Sequence, residues 1–278
     1  MKYLFILTAL CISPLSAQEN ESCCGPTATA EFASLGMNVL FAANHLAPEP
    51  FVYKTDGGSM MEIPAADKKN ARIFEVPSKN PTKKFVFMIH EWWGLNDYIK
   101  QEAEHLQKEL GDVTVIALDL YDGKVAADPK SAGEYMGAVK EQRVRTIINA
   151  AIAHAGKDAK VATIGWCFGG GWSLQASLQL KKQAAGCVMY YGMPEKDLKK
   201  LKTLNCDVLG IFAGQDQWIN AKVVDAFKKN MKAAKKNLEV HVYDADHAFA
   251  NPSNPKFDRE KAGEAHTLAL AFLKSRLQ

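Results

Sequence analysis

Past residue 17 the chain has no apolar run long enough to cross a bilayer as a helix, so no stable membrane span is expected. It has no basic stripe. Its 34 Lys and Arg are scattered through helical stretches and nearly balanced by 31 Asp and Glu, for a net charge of +3, which argues against a nucleic-acid partner. It has only six cysteines and no C-x-x-C pair, which speaks against a thiol-redox protein. No H-E-x-x-H or comparable ligand spacing occurs, so no metal and no cofactor are expected. Repeats and low-complexity tracts are also missing. What remains is 278 residues, 47% hydrophobic and 23% charged, the size and composition of one large globular domain.

The first 17 residues read as a secretory signal peptide. Lys2 supplies the positive start, Tyr3 to Ile12 the apolar stretch, and Leu15-Ser16-Ala17 the small-residue cleavage site. Cys11 would suggest lipid attachment, but Leu10 precedes it where a small residue is wanted. The expectation is therefore cleavage after Ala17 and export to the periplasm or beyond. Five cysteines then remain, and an odd number leaves at least one thiol unpaired. Cys23 and Cys24 are adjacent in a polar tail, a poor geometry for pairing with each other, while Cys187 and Cys206 each open an apolar run and read as core residues.

Residues 18–70 read as an N-terminal extension. Within it, Phe32, Leu35, Val39, Leu40 and Ala43 are spaced as one face of a helix over Glu31 to His45, which Pro48 and Pro50 would stop. Packing on the domain is the expected role, with capping of a site or support of a dimer as alternatives. The sequence does not indicate an oligomeric state.

From residue 71 to 278 strands and helices alternate. Phe85 to Ile89 is a continuous apolar run, as expected of a strand buried on both faces. Further strands are predicted at 59–63, 71–76, 113–118, 161–164, 187–191, 208–213 and 238–242. Helices are predicted at 98–110, through most of 131–154, and at 172–180, 221–235 and 259–277. The pattern predicts an α/β fold, a mostly parallel central sheet with helices on both faces.

In such sheets functional residues gather beyond the carboxyl ends of the strands. Gly165-Trp166-Cys167-Phe168-Gly169 has the strand–turn–helix form of a nucleophile elbow with sulfur in place of oxygen. Glycines at 165 and 169 remove Cβ atoms where strand and helix pass closest. The helix start favours a thiolate. Asp216 follows the strand at 208–213, and His247 follows the strand at 238–242. The order nucleophile, acid, histidine suits an α/β hydrolase. Asp244 and Asp246 are the other candidates for the acid.

Together, His90-Glu91-Trp92-Trp93-Gly94-Leu95-Asn96, Asp119-Leu120-Tyr121, the Cys167 elbow, Gly214-Gln215-Asp216 and Asp246-His247-Ala248-Phe249 resemble the dienelactone hydrolase family (carboxymethylenebutenolidases, α/β hydrolases) from about Ala71 onward. The resemblance implies Cys167 as nucleophile, His247 as base and Asp216 as the residue that orients it. It implies Glu91 as the glutamate that contacts the resting thiol, and the backbone N–H groups of Trp92 and Phe168 as oxyanion-hole donors. Trp93, Tyr121 and Trp218 are the expected substrate rim. The implied reaction is cofactor-free cleavage of a small ester or lactone through an acyl-enzyme. One departure stands out. Family members acting on dienelactone hold its carboxylate with arginines, one of them four residues after the histidine, and here that position is Asn251. Rival readings are a non-catalytic binding protein of the same fold and a redox protein using Cys167.

Overall fold

The computed structural model describes residues 26–278, so the expected signal peptide, Cys23 and Cys24 lie outside it. Eight strands form one sheet: β1 (Ser59–Ile63), β2 (Ala71–Val76), β3 (Lys84–Ile89), β4 (Thr114–Leu118), β5 (Lys160–Trp166), β6 (Ala184–Tyr190), β7 (Asp207–Ala213) and β8 (Leu238–Tyr243). Their spatial order is β1-β2-β4-β3-β5-β6-β7-β8. The β1–β2 and β2–β4 pairs are antiparallel, and every pair from β4–β3 through β7–β8 is parallel.

The helices are α1 (Ala28–Ser34), α2 (Val39–Asn44), α3 (Asp97–Leu110), α4 (Pro129–Ala138), α5 (Glu141–Ala155), α6 (Phe168–Leu180), α7 (Leu198–Lys202), α8 (Ala221–Ala234) and α9 (Arg259–Leu277). All five residues of β4 and the last four of β3 are buried, which requires cover on both faces of the sheet. Neighbouring helices α3 and α9 form one layer, and α5 and α6 the other. Val86, Phe87, Met88 and Ile89 are fully buried. At about 1.5–3 kcal/mol per large apolar side chain, such strands supply much of the drive to fold.

Two predicted helices are corrected. The stretch from Glu31 to His45 is not one helix. A 3₁₀ turn over Leu35–Met37 separates α1 from α2. Gly36 lies against Gly133 so closely that a Cβ on it would meet the Gly133 carbonyl oxygen at 2.7 Å. The Asn38 side chain then caps α2 by accepting from the N–H groups of Leu40 and Phe41. This restart changes the phase. Phe41 is buried, while Val39 and Leu40 of the predicted apolar face are exposed. Likewise 131–154 divides into α4 and α5, because Val139 and Lys140 are extended. Helix α7 was not anticipated. It is a single lysine-rich turn capped by Asp197, and only Leu201 of it is buried.

The N-terminal residues wrap the domain. Thr27 and Thr29 hydroxyls donate to Glu141 of α5. Farther on, Tyr53 Oη and the Asp56 and Gly58 N–H groups all donate to the Glu104 carboxylate of α3. Between these two anchors α2 crosses the carboxyl ends of the strands, where the candidate site lies.

Candidate active site

The elbow forms because two glycines permit it. A Cβ on Gly165 would lie 2.2 Å from the Gly169 carbonyl oxygen, and one on Gly169 would lie 2.2 Å from that of Ile89. Backbone cannot yield as a flexible side chain can, so β5 and α6 close only around glycine at these positions. Cys167 sits between them at φ +56° and ψ −119°, a strained conformation that costs about 1–3 kcal/mol and projects the sulfur above the sheet. Helix α6 begins at Phe168, four residues before the predicted start, so its N-terminus abuts the sulfur.

Asp216 and His247 meet Cys167 from the neighbouring strand ends. Asp216 Oδ1 accepts from the N–H groups of Trp218 and Ile219. Its Oδ2 lies 2.5 Å from His247 Nδ1. That contact assigns the proton to Nδ1 and leaves Nε2 for the sulfur. No other side-chain or backbone partner occupies Nε2. Asp246 is exposed and Asp244 accepts from Gln215, so neither rival carboxylate takes this place.

Burial opposes charge on His247, but the Asp216 carboxylate, joined by the Cys167 sulfur once that is ionised, outweighs it and raises the ring's affinity for a proton as the thiolate forms. Burial raises the Cys167 thiol, and Glu91 adds to the rise, while His247 and the Phe168 N–H oppose it. The resting sulfur is thus held as a thiol. The Trp92 N–H enters no main-chain hydrogen bond, which leaves it available as a donor beside that of Phe168.

Glu91 is near enough to act on the thiol electrostatically, but its hydrogen bonds go elsewhere. Asn251 Nδ2 contacts Glu91 Oε2, and Ser253 Oγ lies 3.0 Å from Oε1. The expected thiol contact is therefore replaced by a pair of polar partners. Ser253 Oγ is also 2.8 Å from Asn251 Oδ1. With Glu91 protonated, the three side chains close a ring of hydrogen bonds: Glu91 donates to Ser253, Ser253 to Asn251, and Asn251 to Glu91. This suits a carboxyl that burial pushes up to about 8, the Ser253 hydrogen bond and His247 offsetting only part of the rise. Asn251, at the position of the family arginine, is thus committed to Glu91.

A stability prediction follows from linkage. The ordinary Glu91 value is 4.5 and the folded value is raised, so its contribution is fully present below about pH 4.5 and is lost as pH rises through about 8. Glu91→Gln is expected to flatten that loss, by up to a few kcal/mol between pH 5 and 9. Urea unfolding at both pH values checks this, and identical slopes in both proteins would contradict it.

The expected rim is also revised. Trp93 and Tyr121 are buried walls, at 1% and 5% exposure, and only Trp218 is half-exposed. Trp93 packs on Trp92 at 4.9 Å between centroids. Tyr121 packs on His90 and Phe168. His90, despite its position, is structural: Nδ1 contacts its neighbour's carbonyl oxygen and Nε2 accepts from the Leu120 N–H. Arg143 is likewise committed, holding Asp67 and Asp122.

Three residues of the N-terminal wrap were missed as site residues. Phe32, Phe41 and His45 pack against the His247 ring at centroid distances of 6.4, 5.9 and 5.2 Å. They leave Cys167 1% and His247 7% exposed. Phe41 and His45 lie one helical turn apart, a spacing that could have marked a shared aromatic face. A crevice of about 20 Å³ beside Asn44, Asp216 and Trp218 borders His247. A larger cavity of about 470 Å³ borders Glu91 and Asn251 but reaches neither Cys167 nor His247.

The sequence profile of the Dienelactone hydrolase family matches residues 71–277. Protein usf of Aquifex pyrophilus is 30% identical over 206 residues, 69% of this chain and 88% of that one. A protein of Saccharolobus solfataricus named as a candidate carboxymethylenebutenolidase is 27% identical over 251 residues, 75% of this chain and 95% of that one. Among solved structures, a candidate dienelactone hydrolase from Klebsiella pneumoniae superposes with a TM-score of 0.67 at 22% identity, covering 78% of this chain and 97% of that one. An esterase of Pyrococcus furiosus superposes at 0.59 and 14% identity, covering 84% and 98%, a likeness of fold alone. On the profile match over most of its length, the chain belongs to the dienelactone hydrolase family.

Proposed function

We propose that this hydrolase cleaves small carboxylic esters or lactones through a Cys167–His247–Asp216 triad. The observation that carries the reading is the juxtaposition at the strand ends. Cys167 stands on a strained elbow beside His247, whose far nitrogen is 2.5 Å from Asp216.

His247 Nε2 takes the proton from the sulfur, and the thiolate attacks the ester carbonyl carbon. The oxyanion that forms accepts from the N–H groups of Trp92 and Phe168, donors of a kind worth about 3–4 kcal/mol each to the transition state. The carbon–oxygen bond breaks, the alcohol leaves with the proton from His247, and a thioester remains on Cys167. Water gives a proton to His247 and attacks the thioester; the carbon–sulfur bond breaks, the acid leaves, and the sulfur takes the proton back from His247. Asp216 holds the ring in the correct tautomer throughout. Glu91, once ionised, opposes the thiolate by like-charge repulsion.

The substrate is proposed to be an uncharged, apolar ester rather than dienelactone. Asn251 and Arg143 are committed to other carboxylates, and a bidentate carboxylate clamp needs a free guanidinium. Aromatic rings of Trp92, Phe41 and Trp218 surround the site instead. An ester does not fit a crevice of about 20 Å³, so access requires α2 and His45 to move. Export through a signal peptide cleaved after Ala17 belongs to the same proposal and rests on the sequence.

The test is hydrolysis of p-nitrophenyl esters and small lactones by the reduced protein, before and after alkylation with iodoacetamide. Turnover that alkylation abolishes is expected. Turnover that survives complete alkylation of Cys167 would contradict a thiol nucleophile.

A further inference from the structure

His45 takes no chemical step in the hydrolysis just described, yet it is buried at the site. It is 4% exposed, and burial, with the neighbouring His247, holds its ring far below the usual histidine range, at about 3. Its Nδ1 lies 2.7 Å from the Phe41 carbonyl oxygen, so Nδ1 carries the proton and Nε2 the lone pair. That Nε2 is buried without a hydrogen-bond partner, while His247 Nε2 faces only the Cys167 sulfur. Leaving one buried acceptor unpaired costs about 1–3 kcal/mol. Both nitrogens flank one thiol. Ligand-type atoms of His45, Cys167 and His247 all lie within 4.8 Å of one another.

We infer that His45, Cys167 and His247 form a binding site for a zinc-class divalent cation, closed over the thiol by the N-terminal wrap. The donor set, one thiolate and two neutral imidazoles, is the one that borderline-soft ions prefer. A tetrahedral zinc ion with bonds of about 2.0–2.3 Å holds such donors about 3.3–3.6 Å apart, so they need to close by roughly 1 Å. A water takes the fourth position.

The surroundings already have the form of a metal site's outer shell. Each histidine has its far nitrogen fixed, His45 by a backbone carbonyl and His247 by the Asp216 carboxylate. Such partners orient the ring and raise its basicity as a ligand. The Asp216 carboxylate also offsets the charge of the ion. The crevice beside Asn44 and Asp216 borders one of the three ligands, His247.

Binding exchanges the sulfur–hydrogen bond for a sulfur–metal bond and releases the proton to solvent, with no change of oxidation state. The bound ion occupies the sulfur and the ring nitrogen that hydrolysis is proposed to use, so it holds the enzyme off until removed. The sequence expects no metal because these ligands come from positions 45, 167 and 247, with no local spacing to signal them.

The test is titration of the full, reduced, metal-free protein with Co²⁺, read by absorption. The expected result is one equivalent bound, with a thiolate-to-cobalt charge-transfer band and the visible bands of four-coordinate cobalt, both displaced by Zn²⁺. His45→Phe, which keeps a ring against Phe41 and Trp92, is expected to weaken binding at least about tenfold, within the range for disrupting a metal's surroundings. His45→Gln is the second variant should the first unfold. Cys167→Ala is expected to remove the charge-transfer band. Wild-type affinity and spectrum in a folded His45 variant would overturn the site, as would no band in the wild type at excess cobalt. These spectra report the metal whether or not the protein hydrolyses any ester, so failure here and failure of the proposed hydrolysis are separable.

Discussion

Replacing Cys167 with alanine is expected to lower kcat/KM for an activated ester by about 10⁴-fold or more, the scale seen when a nucleophile that works as part of a unit is removed. The size of the effect follows from the site. Within it the oxyanion donors and the aromatic walls bind and polarise a carbonyl, but only the sulfur can form the covalent bond. The fold should survive the change, because alanine is smaller and the elbow glycines are untouched. Cys167→Ser tests the same point from another side. A hydroxyl is a far weaker nucleophile, and the wall is shaped around sulfur, so the serine form should retain little activity. Steady-state kinetics with both variants, alongside thermal melts, checks this. A serine form as active as wild type would contradict a thiol-specific site.

Gly165→Ala is expected to have the largest effect on stability, about 3 kcal/mol or more, at the upper end of the cost of overpacking. Its Cβ would stand 2.2 Å from the Gly169 carbonyl oxygen and 2.5 Å from the carbonyl carbon. Both obstacles are backbone, and the obstructing residue is itself pressed against Ile89. Relief therefore requires separating β5 from α6, which displaces Cys167 as well. Gly137→Ala is the control, because nothing lies within 4 Å of the Cβ it would gain. Urea denaturation should show a large drop for the first and little or none for the second. Equal stability of the two variants would mean that the strand–helix approach is looser than described.

Much of this arrangement was legible in the sequence because it depends on local pattern. Two strand boundaries, Ser59–Ile63 and Ala71–Val76, and the last helix agree with the structure without adjustment. Buried parallel strands such as Phe85–Ile89 declare themselves as unbroken apolar runs, and the strand-end rule then locates Glu91, Cys167, Asp216 and His247. Cys187 and Cys206 are free, as their place in apolar runs suggested.

What the sequence concealed depends on contacts across long separations. The break at Gly36 and Asn38 is enforced by Gly133, nearly a hundred positions away. The Glu91–Asn251–Ser253 ring joins residues 160 or more apart, and no spacing rule reports it. Trp93 and Tyr121 read as rim because aromatics near a site often line it, but Tyr121 is packed against His90 and Phe168, both distant in sequence. His45 is the clearest case. As a lone histidine beside two prolines it reads as the end of a helix, and only the fold brings it to the sulfur.

The most direct measurement is the mass of the protein during turnover. The wild type, mixed with excess p-nitrophenyl ester and quenched in acid within the first turnovers, should gain one acyl group, carried as a thioester on the peptide containing Cys167. Cys167→Ala treated identically should gain none. An acyl group on a serine or lysine, or the same labelling in the alanine variant, would contradict catalysis by the Cys167 thiol.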